Sequence, residues 1–154
     1  MDTIPEILKL AAVGLISGLF SAFVANRTHR TKRWWELRVM AYQDLINALS
    51  DVSFYYEKKY SAAIENRELS EEYEAEIVKY WDESYHKIRK AADSGVFFFT
   101  SDVNEALKKF SPLSYENHHT YENHLEAYLN VTQECLKITV NSANRVLRVK
   151  DGWL

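Results

Sequence analysis

Apolar and polar positions change rhythm at Ala25. From Ile7 to Ala25 the chain is apolar or small almost throughout, with Lys9 as its single charge. Beyond it, apolar residues recur at three- and four-residue steps, the period of a helix with one buried face. Leu37, Ala41, Leu45, Ala48, Val52 and Tyr55 predict a helix running to about residue 65. "NRELS" (66–70) predicts a turn, with Ser70 as N-cap and Glu71 and Glu72 at the positive end of the next helix dipole. Tyr73, Ile77, Trp81, Ile88 and Ala92 form the stripe of a helix over about 71–93, closed at Gly95. Thr100 or Ser101 can cap a short helix of about 102–110, and Pro112 stops it within the loop "SPLSYENHH". Leu125, Leu129, Thr132, Leu136, Val140, Ala143 and Leu147 predict a last helix over about 119–149. Phe97, Phe98 and Phe99 read as a plug for the end of the bundle.

The pattern therefore predicts an all-α chain. An N-terminal transmembrane helix is followed by a cytoplasmic antiparallel bundle of three long helices plus one short. No Gly or Pro interrupts residues 19–94, so one helix can run from the membrane into the bundle. The domain reading is a membrane segment at 1–26, a basic juxtamembrane collar at 27–38 and the bundle at 39–154.

Length supports the spanning reading. Nineteen residues at 1.5 Å rise cover about 28 Å, close to a hydrocarbon core of roughly 30 Å. A cleaved signal peptide would need a basic start and a small-x-small cleavage site. Here the start carries Asp2 and Glu6, and Phe20 and Phe23 stand where small residues should precede Ala22 and Ala25. A buried helix of a soluble oligomer is the other alternative, but it has no need of the basic cluster that follows.

Charge sharpens the picture. The chain of 154 residues has a net charge of −3. Residues 27–38 hold five basic residues (Arg27, Arg30, Lys32, Arg33, Arg38) against Glu36, a net +4. Residues 39–154 hold 13 basic and 19 acidic residues, a net −6. Lys and Arg favour the cytoplasmic side, so the N-terminus is expected outside and the bundle in the cytoplasm of a bacterial inner membrane. Arg27, Arg30, Lys32, Arg33, Trp34 and Trp35 are the expected headgroup contacts. Nucleic acid is not an expected partner, since such binders spread positive charge over a folded face.

Gly14, Gly18 and Ala22 repeat at i+4, with Ser17, Ser21 and Ala25 on the adjoining track. Small residues at this spacing let helices approach closely in lipid. They are the expected contact of a homo-oligomer, and a protein partner can engage the bundle.

Chemistry-bearing residues are sparse. His118, Glu122 and Glu126 share a face, like half of a carboxylate–imidazole metal site, but no second ligand pair matches them. No metal or other cofactor is expected. Asn117 and His124 are separated by six residues, a spacing like that of the Arg-and-His motif of helical RNA-cleaving HEPN domains. Asparagine, however, replaces the arginine that would bind phosphate. A membrane-tethered RNase with His124 as acid or base is thus the alternative to a non-enzymatic protein, and a soluble interaction module is a third reading. Cys135, the single cysteine, excludes an intrachain disulfide and reads as a buried structural residue.

Three segments carry a wider resemblance: "KRWWE" with "AYQDLINALSD" (32–36, 41–51), "RELSEEY" (67–73) and "KIRKAADSGVFFF" (87–99). With the N-terminal span, they resemble small bacterial membrane proteins without an assigned activity. More loosely, the layout is similar to small membrane effectors of antiphage systems, including a pore-forming accessory partner of an RNA-guided RNase. Together with the small-residue stripe and the lack of a decisive catalytic motif, this layout leads to the expectation of a self-associating, non-enzymatic membrane effector or scaffold.

Overall fold

The computed structural model describes the backbone of residues 3–110 and 120–147, and the side chains of that set apart from residues 3–20, 22–24 and 96. Among the described residues the chain is all-α. Four helices follow one another: α1 (Thr3–Ile64), α2 (Glu71–Ser94), α3 (Ser101–Phe110) and α4 (Tyr121–Leu147), with a 3₁₀ turn at Gly95–Phe97. Two units are distinct, residues 1–37 and residues 38–154.

The first unit is the N-terminal part of α1. Among the described residues no helix is long and apolar enough to cross a membrane. Within the expected span, 7–25, only the side chains of Ser21 and Ala25 belong to the described set, and both are exposed. The side chains of Gly14, Ser17, Gly18 and Ala22 lie outside it.

In the second unit the turns form where local chemistry dictates. Asn66 takes the left-handed conformation (φ 49°) just past α1, which Asn tolerates better than most residues. The amide of Arg67 then reaches back to the carbonyl of Ala62 (2.9 Å), and that of Asn66 to Ala63 (3.3 Å). This satisfies carbonyls that the helix end would otherwise leave open. Ser70 caps α2 as expected, its hydroxyl accepting from the Tyr73 amide at 3.4 Å. Thr120 does the same for α4, accepting from the Asn123 amide at 3.2 Å.

Cross-helix pairs fix the directions. Lys59 pairs with Glu74, Tyr56 accepts from Trp81 Nε1 (3.2 Å), and Asp51 accepts from Ser84 (2.9 Å), so α2 runs antiparallel to α1. Tyr56 stacks on Tyr128 (5.0 Å between centroids) and Tyr42 bonds Ser142 (3.1 Å), so α4 is antiparallel to α1 as well. α3 lies antiparallel along α4, with Asp102 facing Arg145 at 2.9 Å and Lys109 facing Glu134 at 3.7 Å.

Tyr42, Leu45, Leu49, Val52 and Tyr56 on α1 line the core, with Ile77 and Ile88 from α2, Val103, Leu107 and Phe110 from α3, and Leu125 and Tyr128 from α4. Each fully buried aliphatic side chain contributes roughly 1.5–3 kcal/mol. Three expectations need correction. Leu37 is exposed, as the core face of α1 begins at Tyr42. The buried residues of α4 are Leu125, Tyr128, Thr132, Cys135, Thr139, Ser142 and Ala143, so Leu125, Thr132 and Ala143 of the expected stripe are inside, whereas Leu129, Leu136, Val140 and Leu147 flank the line half-buried. Thr132 and Thr139 can go inside because each hydroxyl donates to a carbonyl one turn back, Tyr128 (2.6 Å) and Cys135 (2.7 Å). Of the three phenylalanines only Phe99 is buried; Phe97, on the 3₁₀ turn, is 77 % exposed.

Candidate functional site

Two regions carry concentrated chemistry: the basic stretch of α1 and a polar knot in the bundle. The basic stretch belongs to the first unit. Every residue from Asn26 to Leu37 is exposed, including Arg27, Arg30, Lys32 and Arg33. Trp34 and Trp35 are 47 % and 42 % exposed. Thr31 turns its hydroxyl back onto the Arg27 carbonyl (2.9 Å), so this donor is satisfied without solvent. Helical spacing distributes the cations. At about 100° per residue, Lys32, Arg33 and Arg30 stand roughly 140°, 240° and 300° round the axis from Arg27. Arg27, Arg30 and Arg33 thus lie within about 120° of one another, and Lys32 stands on the opposite side.

The polar knot joins three elements of the second unit. The Tyr42 phenol is fully buried, accepts from the Thr100 amide (3.3 Å) and hydrogen-bonds the Ser142 hydroxyl (3.1 Å). Thr100 stands at the start of α3, where its carbonyl accepts the Asn104 amide (3.0 Å), and its hydroxyl meets Ser142. The Thr100 hydroxyl and the Arg145 guanidinium hold the Asp102 carboxyl below the usual carboxylate range, against a smaller opposing effect of burial. Nearby, Arg38 donates through Nε to the Phe98 carbonyl (2.8 Å). These bonds pin α1, α4 and the 95–100 turn together. The sequence gives no signal for them, since Tyr42 and Ser142 are 100 residues apart.

A closed circuit of rings lies deeper along the bundle. Tyr56, Tyr128, Phe110, Tyr85, Trp81 and Tyr55 contact one another in turn, with centroids 5.0–6.2 Å apart. Burial pushes the Tyr56 phenol well above its ordinary range. Such rings contribute through area and edge or stacking geometry, and every helix supplies at least one.

His124 sits half-buried in the first turn of α4, its ring 4.8 Å from that of Tyr128. Asn117, its expected companion, lies outside the described residues, as do His118 and His119. Among the described residues no three His, Cys, Asp or Glu side chains are grouped to hold a metal ion. Cys135 is buried, and desolvation pushes its thiol up to about 11. A thiol in that state is a poor nucleophile at neutral pH.

No protein-family model, curated protein or solved structure matches this chain.

Proposed function

We propose that this protein is a non-enzymatic, single-pass inner-membrane protein that self-associates and serves as an effector or scaffold in bacterial antiphage defence. The observation that carries the membrane reading is the run Ile7–Ala25, 19 residues with one charge, followed at once by a basic stretch. Helical backbone through this region supports it, because only a hydrogen-bonded helix or a closed barrel satisfies its peptide groups in lipid. The excess of Lys and Arg after the run supports an outside N-terminus and a cytoplasmic bundle. The i+4 repeat of Gly14, Gly18 and Ala22 supports self-association in the membrane. The defence setting rests on the resemblance of layout described above.

Alkaline extraction and a topology reporter test the core of this reading. The full chain should stay in the membrane pellet after a carbonate wash. A C-terminal fusion active only in the cytoplasm should work, and one that needs export should not. Release into the wash would overturn the span, and the reverse reporter pattern would overturn the orientation. For assembly, Gly14→Leu with Gly18→Leu adds apolar volume, so insertion should survive while close approach is blocked. The detergent-extracted complex should fall in mass; an unchanged mass would remove the small-residue contact.

A further inference from the structure

We propose that residues 27–35 bind the phosphates of anionic phospholipids on opposite sides of the helix, giving the protein a selective lipid shell. The proposal rests on the spanning reading above and adds to it the identity of the lipid. Charge complementarity is its first support. Arg27, Arg30, Lys32 and Arg33 are all exposed, and within residues 27–35 no acidic side chain offsets them. Angular placement is the second. Arg27, Arg30 and Arg33 fall within about 120° of one another, and Lys32 stands on the opposite side. A strand of nucleic acid that follows the arginine side would leave Lys32 unused. A bilayer surrounds a perpendicular helix and can use them all.

The axial placement agrees for Arg27 and Arg30, about 3 and 8 Å beyond Ala25. Arg27 to Arg33 spans about 9 Å at 1.5 Å per residue, starting about 3 Å beyond Ala25. The headgroup layer adds roughly 5–8 Å to each side of the hydrocarbon core. Side chains on a helix tilt toward its N-terminus, so Lys32 and Arg33, about 10–12 Å beyond Ala25, lean back toward that layer. The indoles, about 14–15 Å beyond Ala25, lie farther out, and helix tilt would bring them toward the headgroups that Trp favours. Near an anionic surface each cation is worth about 1 kcal/mol, or roughly a five-fold preference for a neighbouring anionic lipid.

The test places the full chain in phosphatidylcholine bilayers with a trace of spin-labelled lipid, either phosphatidylglycerol or phosphatidylcholine. Electron spin resonance then reads the motionally restricted fraction of each. The wild type should restrict phosphatidylglycerol several-fold more than phosphatidylcholine, and salt should shrink the difference. Arg27→Gln, Arg30→Gln, Lys32→Gln and Arg33→Gln together should abolish the preference while still restricting both lipids. Arg27→Lys, Arg30→Lys and Arg33→Lys together should keep it, and this variant and the salt series read the charge effect even if the glutamine variant fails to fold. Equal restriction of the two lipids by the wild type overturns the lipid shell and leaves the span standing. Restriction of neither overturns the spanning reading and the shell with it. A single-stranded RNA oligonucleotide that binds the wild type but not the glutamine variant, with no lipid preference, assigns the cations to nucleic acid and overturns the proposal.

Discussion

Replacing Gly95 by alanine separates two reasons for a glycine at the end of α2. The usual reason is a left-handed backbone, yet Gly95 has φ −72° and ψ −8°, which any residue can adopt. The structure supplies another reason. A Cβ at this position would meet Phe99 Cδ2 at 2.4 Å and Cε2 at 2.6 Å, so the ring would have to move by about 1 Å to regain van der Waals contact. Phe99 is 7 % exposed and stands edge-on to Tyr42 with centroids 5.1 Å apart, so it has little room to do so. Overpacking of this kind costs about 1–3 kcal/mol, and loss of the edge contact about 0.5–1.5 kcal/mol more. Opposing these, Gly→Ala at a compatible backbone gains about 0.4–1 kcal/mol by restricting the unfolded chain. The net expectation is a loss of about 2 kcal/mol. Urea unfolding of the full chain in mild detergent, followed by far-ultraviolet circular dichroism, measures it. The same substitution in a Phe99→Leu background should cost little, since the shorter side chain vacates the space. Neutral or stabilising behaviour of Gly95→Ala, or an equal cost in both backgrounds, would refute the reasoning.

Tyr42→Phe should cost about 1–3 kcal/mol, because it strips a buried partner from the Thr100 amide and from Ser142. Combined with Ser142→Ala in a double-mutant cycle, the two losses should add to less than their sum; strict additivity would show that the knot is not a unit. Cys135 should resist a thiol reagent at pH 8 in the folded chain and react on unfolding, as expected for a buried thiol pushed up to about 11. Its raised value means that its contribution to stability is intact below the unfolded thiol value near 9 and is lost as pH rises toward about 11, which alkaline unfolding curves of wild type and Cys135→Ala should separate. Asp102, held low by Thr100 and Arg145, contributes in the opposite sense, and its share should disappear as pH falls through the folded value and be absent in Asp102→Asn. Purified full chain should not cleave single-stranded RNA; cleavage lost on His124→Ala would replace the non-enzymatic reading.

Much of the architecture is legible in local signals. Ser70 caps α2, and α2 spans Glu71–Ser94 against an expected 71–93. α3 spans Ser101–Phe110 against 102–110, and of the two candidate caps Thr100 is the one whose carbonyl opens the helix. These boundaries follow from backbone groups that only nearby residues can satisfy. The α4 stripe was readable only in part. Leu125, Thr132 and Ala143 of the expected stripe are buried, but hydropathy also favours Leu129 and Leu136, whereas a threonine that bonds its own helix can be buried at little cost and the innermost line passes through Thr139. The candidate site divides in the same way. The cations of α1 are visible as a run of letters, and helical spacing alone puts Arg27, Arg30 and Arg33 on one side of the axis and Lys32 on the other. The knot around Tyr42 is invisible, because a hydroxyl-bearing residue carries no record of a partner far along the chain.

The sequence by itself determined what depends on neighbours within a turn or two. It set the all-α class, the place of the turns and the contrast between an apolar start, a basic stretch and an acidic body. Each is a property of residues one to four positions apart, where spacing, capping and charge act directly. The tertiary structure decided which residues share a surface. It closed six rings from four helices into one circuit, joined Tyr42 to Ser142 and turned Phe97 outward while Phe99 went in. It also gave Gly95 its reason, an aromatic face against its α-carbon in place of an unusual backbone angle. Packing of this kind depends on which helix faces meet, and a one-dimensional period constrains each face without choosing its partner.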